Sequence, residues 1–332
     1  MKPYLALFRA GPNSLHPQAV QRLDAQNFDY ALSWFGDQPP AHAQGAAFVH
    51  MQKGAKWPGL EQTLMAHWDQ IQKYRYIWLP DDDLLCVPEQ VSRLFSICED
   101  LALDLAQPAL TTDSYFSHVT TLRHSAFQLR FTNFVEIMAP VLSADMLARV
   151  FPTMRGQISG FGLDALWPRM SRLGKVAIID ETPVRHTRPV GGPVYKFSQE
   201  AGLMPVHEDW LVSAGSFIET PADFHVNFAG LLQNGDPICI GSERSEINAM
   251  LAALISSLNG LPVTALALTR YLANHYDYWA GAANHGQPRY PRGLLRVVLN
   301  RELKETGIRF SGPADSAAPA STLNAISGAQ LS

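Results

Sequence analysis

Strand-like and helix-like stretches alternate along the first 190 residues, and this alternation restricts the possible folds more than any other feature. It is typical of an α/β sheet in which most strands run parallel. We therefore predict a Rossmann-type mixed sheet flanked by helices. The predicted strands are residues 4–8, 28–34, 46–50, 76–79, 119–123, 131–139 and 175–179, and the predicted helices are 17–23, 60–73, 90–101 and one beginning at Ser143.

The chain changes character beyond about residue 200. Residues 212–240 show short strands and turns, and residues 242–258 and 263–279 have helical spacing around a breaker at 259–262. Residues 311–332 consist mostly of Ala, Ser, Gly and Pro, which is typical of a flexible tail. We predict one domain at 1–198, a mainly helical region at 199–310, and a tail at 311–332.

Composition excludes several classes of protein. Hydrophobic residues make up 47% of the 332 residues and charged residues only 17%, which excludes disorder over most of the length. The net charge of −4 argues against nucleic acid or an anionic membrane as the main partner. Three cysteines without a CxxC pair are typical of a reducing compartment. No transmembrane segment is predicted, and the short apolar run at 4–8 indicates a strand rather than a leader, so we expect a cytoplasmic protein.

The strongest chemical signal is a buried apolar strand that runs directly into Asp81, Asp82 and Asp83. In extended chain, residues two apart point to the same side, so Asp81 and Asp83 can converge. A divalent cation such as Mg²⁺ or Mn²⁺ would relieve their repulsion. The alternative is a solvated loop in which one carboxylate caps the following helix. Asp82 is expected to face the other way, toward a structural partner.

Three other polar residues are candidates. Asp164 follows a glycine turn at the apparent start of a helix, and is either a helix cap or a general base. His186 follows the last strand, and is either a metal ligand or a hydrogen-bonded structural residue. Glu136 lies in an apolar stretch, so it is either paired structurally or bound to a sugar hydroxyl.

Basic and aromatic side chains near the strand ends are candidates for contacts to a diphosphate and a base, although surface residues are the common alternative for the lysines and arginines. No P-loop, dinucleotide fingerprint, HExxH or GxSxG motif is present, which disfavours the corresponding enzyme classes. The predicted contacts to a bound nucleotide are Arg9, Lys56, Trp57, Asp82 and Arg188, with Lys53 and Arg185 as weaker candidates.

Six motifs occur in order within residues 4–195: YRYIWLPDDDL, LDLAQPAL, FVEIMAPVLS, GFGLD, KVAIID and VRHTRPVGG. Together they resemble an uncharacterised domain family of plants and bacteria, whose plant members are labelled lysine-ketoglutarate reductase trans-splicing related. That family has Asp-Glu-Asp at the acidic triplet and tryptophan at the position of Phe161. The position of Asp164 relative to the glycine motif is the same in that family.

The layout is also similar to the GT-A glycosyltransferase fold, in which a DxD element binds Mn²⁺ or Mg²⁺ together with a nucleotide-diphosphate sugar. The resemblance implies that Asp81 and Asp83 are metal ligands and that His186 is a further ligand.

The same resemblance implies that Asp164 is a base or an acceptor contact. Glu136 is a second catalytic candidate because of its position in an apolar stretch. The resemblance further implies that residues 1–198 bind the nucleotide sugar, that residues 199–310 are an acceptor-side or accessory region, and that the unknown acceptor is a glycan, a lipid or a small molecule.

Two alternatives to a glycosyltransferase stay open. One is a non-catalytic protein on the same scaffold that binds a nucleotide sugar or a glycan. The other is a metal-dependent phosphoester hydrolase, which is disfavoured because it normally needs more histidines and carboxylates near a second metal. His118, His124 and His207 are too scattered along the chain to meet that need.

Overall fold

The computed structural model describes residues 1–22, 24–190, 225–240, 244–258 and 261–284. Within them, eleven strands form a mixed sheet with helices packed on it, which confirms the predicted fold class. The strands are β1 (Tyr4–Ala10), β2 (Phe28–Trp34), β3 (Val49–Met51), β4 (Tyr76–Trp78), β5 (Leu84–Leu85), β6 (Leu105–Leu110), β7 (Phe127–Thr132), β8 (Val141–Ser143), β9 (Val176–His186), β10 (Asn227–Leu232) and β11 (Pro237–Cys239). The α-helices are α1 (His16–Ala19), α2 (Lys56–Ile71), α3 (Pro88–Asp100), α4 (Ala144–Val150), α5 (Leu163–Met170), α6 (Arg244–Leu258) and α7 (Ala265–Asn284).

The strand order is β11-β10-β7-β9-β6-β8-β4-β1-β2-β3, and β5 pairs with β9 outside this path. Strands β3, β2, β1 and β4 are parallel neighbours. β8 is antiparallel to both β4 and β6, and β9 is parallel to β6. The carboxyl ends of β1, β4, β6 and β9 therefore share one edge of the sheet, where open α/β sheets bind their ligands.

Each face of the sheet has its own hydrophobic core. Along β1, alternate side chains point to opposite faces. Leu5 and Leu7 pack with apolar residues of α2, α4 and α5, while Ala6 and Phe8 pack with residues of α3 on the other face. This two-sided burial explains why β1 is apolar at nearly every position rather than alternating.

The part of the chain after residue 224 joins the same sheet. β10 pairs antiparallel with β7, and β11 extends the edge. α6 buries Met250 and Leu254 against Phe127 of β7. The two C-terminal helices predicted from the sequence are confirmed as α6 and α7. The predicted boundary at residue 198 and the predicted tail at 311–332 lie outside the described residues.

Two predicted strands are wrong. Residues 119–121 form a 3₁₀ turn, because the N–H groups of Thr121 and Leu122 bond back to carbonyls three residues earlier. Most of residues 131–139 is a loop, since its backbone groups pair with side chains. The N–H of Glu136 bonds to Gln107, and two carbonyls of the loop bond to Lys56. The strands β5, β6 and β8 are not predicted by the sequence pattern, and only the last two residues of β7 fall within the predicted strand at 131–139.

The other differences are small. The predicted helix at 17–23 is a single turn at His16–Ala19, and the predicted strand at 46–50 is β3 at Val49–Met51. None of the helices in the described parts of the chain has the length and apolar character needed to cross a membrane.

Candidate functional site

The acidic triplet lies just beyond β4, at the edge where the parallel strands end. The buried strand Tyr76–Trp78 and Pro80 fix the backbone before it. The amide of Asp81 donates to the carbonyl of Met138, which ties the start of the triplet to the loop before β8. The three carboxylates then take three different partners, so the triplet is an ordered part of the fold rather than a solvated loop.

Lys56, the first residue of α2, holds Asp81. Its Nζ lies 2.6 Å from Asp81 Oδ1, 2.7 Å from the carbonyl oxygen of Ile137 and 3.0 Å from that of Met138. An ammonium group has three N–H donors, and these three oxygens use all of them. Burial raises the pKa of Asp81, and the nearby charge of Lys56 opposes that rise. Lys56 therefore neutralises Asp81 and fastens the 136–138 loop to the triplet.

Asp82 faces the loop after β1. Its Oδ2 accepts a hydrogen bond from the amide of Gly11 at 3.2 Å, and its Oδ1 pairs with Arg188 at 3.0 Å. Arg188 also donates to the carbonyl of Asn13. Burial raises the pKa of Asp82 to about 6, and Arg188 partly offsets the effect of burial. Asp82 and Arg188, both predicted as nucleotide contacts, therefore bind protein groups. Together they connect the β1 loop, the triplet and the end of β9.

Asp83 faces His186, and strand register brings the two together. β5 follows the triplet and pairs antiparallel with β9, with Leu84 opposite His186. The imidazole Nε2 lies 3.2 Å from Asp83 Oδ2, and Nδ1 lies 2.8 Å from the carbonyl oxygen of Tyr115. Because a carbonyl only accepts, Nδ1 carries a proton and Nε2 is the atom directed at the carboxylate.

The electrostatics of His186 follow from that geometry. Burial by itself lowers its pKa, but the hydrogen bond to Asp83 and the charge of Asp83 outweigh burial, so the pKa is raised. Asp83 is 8% exposed, and its Oδ1 has no hydrogen-bond partner within the part of the chain that the structure describes. The pair therefore presents one unused carboxylate oxygen beside an oriented imidazole.

Asp83 and His186 could supply some of the ligands of a divalent cation whose other ligands are water and substrate phosphates. Among the described residues, no group of three or more His, Cys, Asp or Glu side chains is placed to hold a metal ion. Asp81, Asp83 and His186 thus do not form a complete three-ligand shell. Mg²⁺ is commonly bound by one or two carboxylates together with water and substrate phosphates. The unused Oδ1 of Asp83 fits that partial shell, and Nε2 of His186 could join it on giving up its proton and its hydrogen bond to Asp83.

Asp164 and Glu136 are two further candidate carboxyl groups, and Glu136 interacts electrostatically with Asp164, His186 and Asp81. Asp164 is in the first turn of α5 and accepts the amide of Ala165 at 3.0 Å. Burial raises its pKa to about 6, and backbone hydrogen bonds limit the rise. Glu136 is 7% exposed, and its Oε2 has no partner among the described residues. Burial, and then the charge of Asp164, raise the pKa of Glu136 to about 8.

The two pKa values separate the roles that the carboxyl groups can take near neutral pH. Asp164 is mostly ionised at pH 7 and can accept a proton, while Glu136 is mostly neutral and can donate a hydrogen bond. Pairs of carboxyl groups whose pKa values differ because their surroundings differ are typical of acid–base catalytic sites.

The glycine turn before Asp164 packs directly on Trp57. Gly160 has a φ of +74°, and a Cβ at this position would lie 2.0 Å from Trp57 Nε1. Trp57 is 1% exposed and packs edge-on against Trp167, with ring centroids 5.3 Å apart. Trp57, predicted as a base contact, is therefore a core residue that supports the Asp164 turn.

Arg9, predicted as a diphosphate contact, is likewise internal. It is 4% exposed, and its guanidinium donates to Ser33 and to the carbonyls of Gln52 and Gly54. Burial lowers its pKa to about 10. Lys53 and Arg185 form exposed ion pairs with Asp37 and Asp113, respectively.

Sequence reasoning missed the residues that orient the candidates. Gln107 binds the backbone of Glu136, Tyr115 binds His186, and Gly11 binds Asp82. Of these three residues, the sequence could have indicated only Gly11, because it lies in a turn that directly follows β1 and so lies at the same edge of the sheet. Gln107 and Tyr115 are brought in by β6 and by the loop after it.

We expect Glu136→Gln to stabilise the metal-free protein more as pH rises. The raised pKa means that ionisation of Glu136 costs stability, and this cost grows from the unfolded pKa near 4.5 up to the folded pKa of about 8. The variant lacks the ionisation, so the gain should be about 1 kcal/mol at pH 5 and rise to about 4–5 kcal/mol at pH 9, at about 1.4 kcal/mol per pKa unit. Urea unfolding in EDTA measures it.

Glu89→Gln, at an exposed ion pair with Arg22, is the control and should change the free energy of unfolding by less than about 1 kcal/mol at both pH 5 and pH 9. A gain for Glu136→Gln that is equal at pH 5 and pH 9 would show that Glu136 ionises normally in the folded protein.

No protein-family model matches this chain, and no curated protein matches it either. The resemblance to the plant and bacterial domain family therefore stays a prediction. Among solved structures, S. aureus TarS 1–349 aligns with a TM-score of 0.41 and 11% identity, covering 86% of this chain and 92% of TarS 1–349. The same protein in complex with UDP-GlcNAc gives 0.38 and 12%, covering 86% and 93%. A197 from STIV gives 0.33 and 11%, covering 57% and 86%. Likenesses this distant do not assign an activity.

Proposed function

We propose that this chain is a metal-dependent glycosyltransferase that moves a sugar from a nucleotide-diphosphate donor to a glycan, lipid or small-molecule acceptor. The observation that carries the proposal is the Asp83–His186 pair just beyond β4, at the carboxyl edge of the parallel strands, with the buried Glu136 coupled electrostatically to His186 and to Asp164. A partial cation shell beside an acid–base pair is what diphosphate departure and acceptor activation require.

Asp83 and His186 would hold the Mn²⁺ or Mg²⁺ ion, with Asp81 as a further ligand. When bound, the ion would neutralise the departing diphosphate as a Lewis acid. Lys56 would support this site by neutralising Asp81 and holding the 136–138 loop, because all three of its N–H donors already have oxygen partners. Arg188 and Asp82 hold the β1 loop in place around the donor side.

The transfer step uses Asp164 as the base. The acceptor hydroxyl loses its proton to the Asp164 carboxylate while its oxygen bonds to the anomeric carbon. The bond from that carbon to the diphosphate oxygen breaks, and the electron pair leaves with the diphosphate. The transition state resembles an oxocarbenium ion. Glu136, neutral at this pH, donates a hydrogen bond to a hydroxyl of the sugar or acceptor.

The donor-binding part of the proposal is tested by calorimetric titration of UDP- and GDP-sugars with and without Mn²⁺. We expect Asp83→Asn to weaken binding in Mn²⁺ by at least tenfold, because it removes the charge facing the cation and keeps the side-chain shape. EDTA should weaken binding by the wild type to a similar extent. Asp37→Asn, at an exposed ion pair with Lys53, is the matched control and should bind normally.

Failure of every nucleotide sugar to bind would refute the proposal. Binding that is indifferent to both Mn²⁺ and Asp83→Asn would remove metal dependence from it.

One observation favours a second candidate, a non-catalytic protein that binds a nucleotide sugar or glycan on the same scaffold. All three carboxylates of the triplet already have protein partners, namely Lys56, the Gly11 amide with Arg188, and His186. Tight donor binding without donor hydrolysis or transfer to any member of a broad acceptor panel would support this candidate over the transferase.

A further inference from the structure

A pair of histidines lies away from the carboxylate site, where α2 packs beside the edge strand β3. His50 is the middle residue of β3, and His67 lies within α2. Their ring centroids are 5.3 Å apart and the ring planes meet at 65°. His67 leaves helical geometry, with φ −120° and ψ 18°, and its ring stacks flat on Phe48 at 4.0 Å. The break in α2 thus places one imidazole beside the other.

A chain of hydrogen bonds sets the proton position on His50. Arg9 Nη1 donates to Ser33 Oγ at 3.0 Å, and the Ser33 hydroxyl lies 2.6 Å from Thr63 Oγ1 and 3.3 Å from the carbonyl oxygen of Gly59. The Thr63 hydroxyl in turn donates to the carbonyl of Gly59 at 2.8 Å. Thr63 Oγ1 is then an acceptor for His50 Nδ1, 3.0 Å away. His50 therefore carries its proton on Nδ1 and a lone pair on Nε2.

His67 has no hydrogen bond to either ring nitrogen within the described residues. Burial lowers the pKa of both histidines, and the charge of Arg9 adds to the effect at His50. Both rings are therefore neutral at pH 7, which is the form that binds metals. A metal-binding histidine usually donates its other ring N–H to an acceptor that fixes its tautomer, and Thr63 Oγ1 is such an acceptor for His50.

We propose that His50 and His67 form a binding site for a divalent transition-metal ion of the Zn²⁺, Cu²⁺ and Ni²⁺ class, with water in the remaining positions. Two imidazoles that share a tetrahedral Zn²⁺ have ring centroids about 5 Å apart, given a Zn–N distance of about 2.0–2.1 Å. The observed 5.3 Å matches that spacing. Imidazole ligands do not favour Mg²⁺, so the pair differs in chemistry from the carboxylate site.

Metal binding at this site would also hold α2 in position against the sheet. The ion would join β3 to the middle of the helix whose first residue, Lys56, holds Asp81. This inference does not depend on the proposed function, because it concerns a separate pair of residues and its test involves no nucleotide.

The test is calorimetric titration of Zn²⁺ into the metal-free full chain, with excess Mg²⁺ present to occupy carboxylate ligands. We expect one Zn²⁺ to bind the wild type, and His50→Ala and His67→Ala each to weaken its affinity at least tenfold. Asp83→Asn should keep the wild-type affinity. His42→Ala, which removes an exposed histidine from a nearby loop, is the matched control and should also bind normally.

Thermal unfolding gives a second readout that separates binding from folding. Zn²⁺ should raise the Tm of the wild type and of His42→Ala, and should leave the Tm of the two pair variants unchanged. Absence of Zn²⁺ binding by the wild type, or equal affinity in His50→Ala, His67→Ala and the wild type, would overturn the proposal. Loss of Zn²⁺ in Asp83→Asn alone would overturn it too, because the ion would then belong to the carboxylate site.

Discussion

Asp164→Asn is expected to lower kcat for sugar transfer by about 10²–10⁴-fold with little change in KM for the donor. The amide keeps the size of the carboxylate, and its oxygen can still accept the Ala165 amide, but it cannot take the acceptor proton. Because a pKa of about 6 leaves Asp164 ionised only above that pH, the wild-type kcat should fall as pH drops through about 6. Steady-state rates measured between pH 5 and 8 test both statements.

Asp145→Asn is the matched control for Asp164→Asn. Asp145 occupies the same position in the first turn of α4 that Asp164 occupies in α5, but it is exposed. Asp145→Asn loses a favourable charge at a helix N-terminus, worth about 0.3–1 kcal/mol of stability. Only Asp164→Asn should lose kcat and the acid limb of the pH profile. Equal kcat in the two variants would mean that Asp164 is a helix-terminus residue and no base.

The sequence was sufficient for features that depend on neighbouring residues. Alternation of apolar runs predicted the sheet class, and a buried strand ending at Pro80 predicted where the triplet lies. The expected separation of Asp82 from Asp81 and Asp83 follows from the period of two in extended chain. These inferences hold because strand direction and side-chain alternation are local properties of the backbone.

The sequence could not predict contacts that depend on long-range register. His186 meets Asp83 because β5 pairs with the last residues of β9, about a hundred positions away. The apolar pattern around Glu136 predicts a strand. Glu136 lies in a loop because Lys56 and Gln107 bind the backbone of that loop. Arg9 illustrates the opposite error, since its position at a strand end suggested a ligand contact but its hydrogen bonds turn it inward.

A fully buried ion pair couples the strand that carries His186 to the rest of the sheet. Arg130 of β7 and Asp180 of β9 are both 0% exposed, with bonds of 2.8 Å from Nε and 3.0 Å from Nη2 to the two carboxylate oxygens. Arg130 also donates to the carbonyls of Thr120 and Leu122, and Asp180 accepts the amide of His124. The pair thus satisfies backbone groups of the 3₁₀ turn as well as each other.

Arg130→Met should destabilise the protein by about 3–5 kcal/mol, because it leaves Asp180 as a buried charge without its partner. Urea unfolding at pH 7 measures the loss. Arg22→Met, which breaks the exposed pair with Glu89, is the matched control and should cost less than about 1 kcal/mol. The double variant Arg130→Met, Asp180→Leu should recover part of the loss, since it removes the isolated charge. A loss for Arg130→Met no larger than that for Arg22→Met would show that Asp180 is protonated or hydrated in the folded protein.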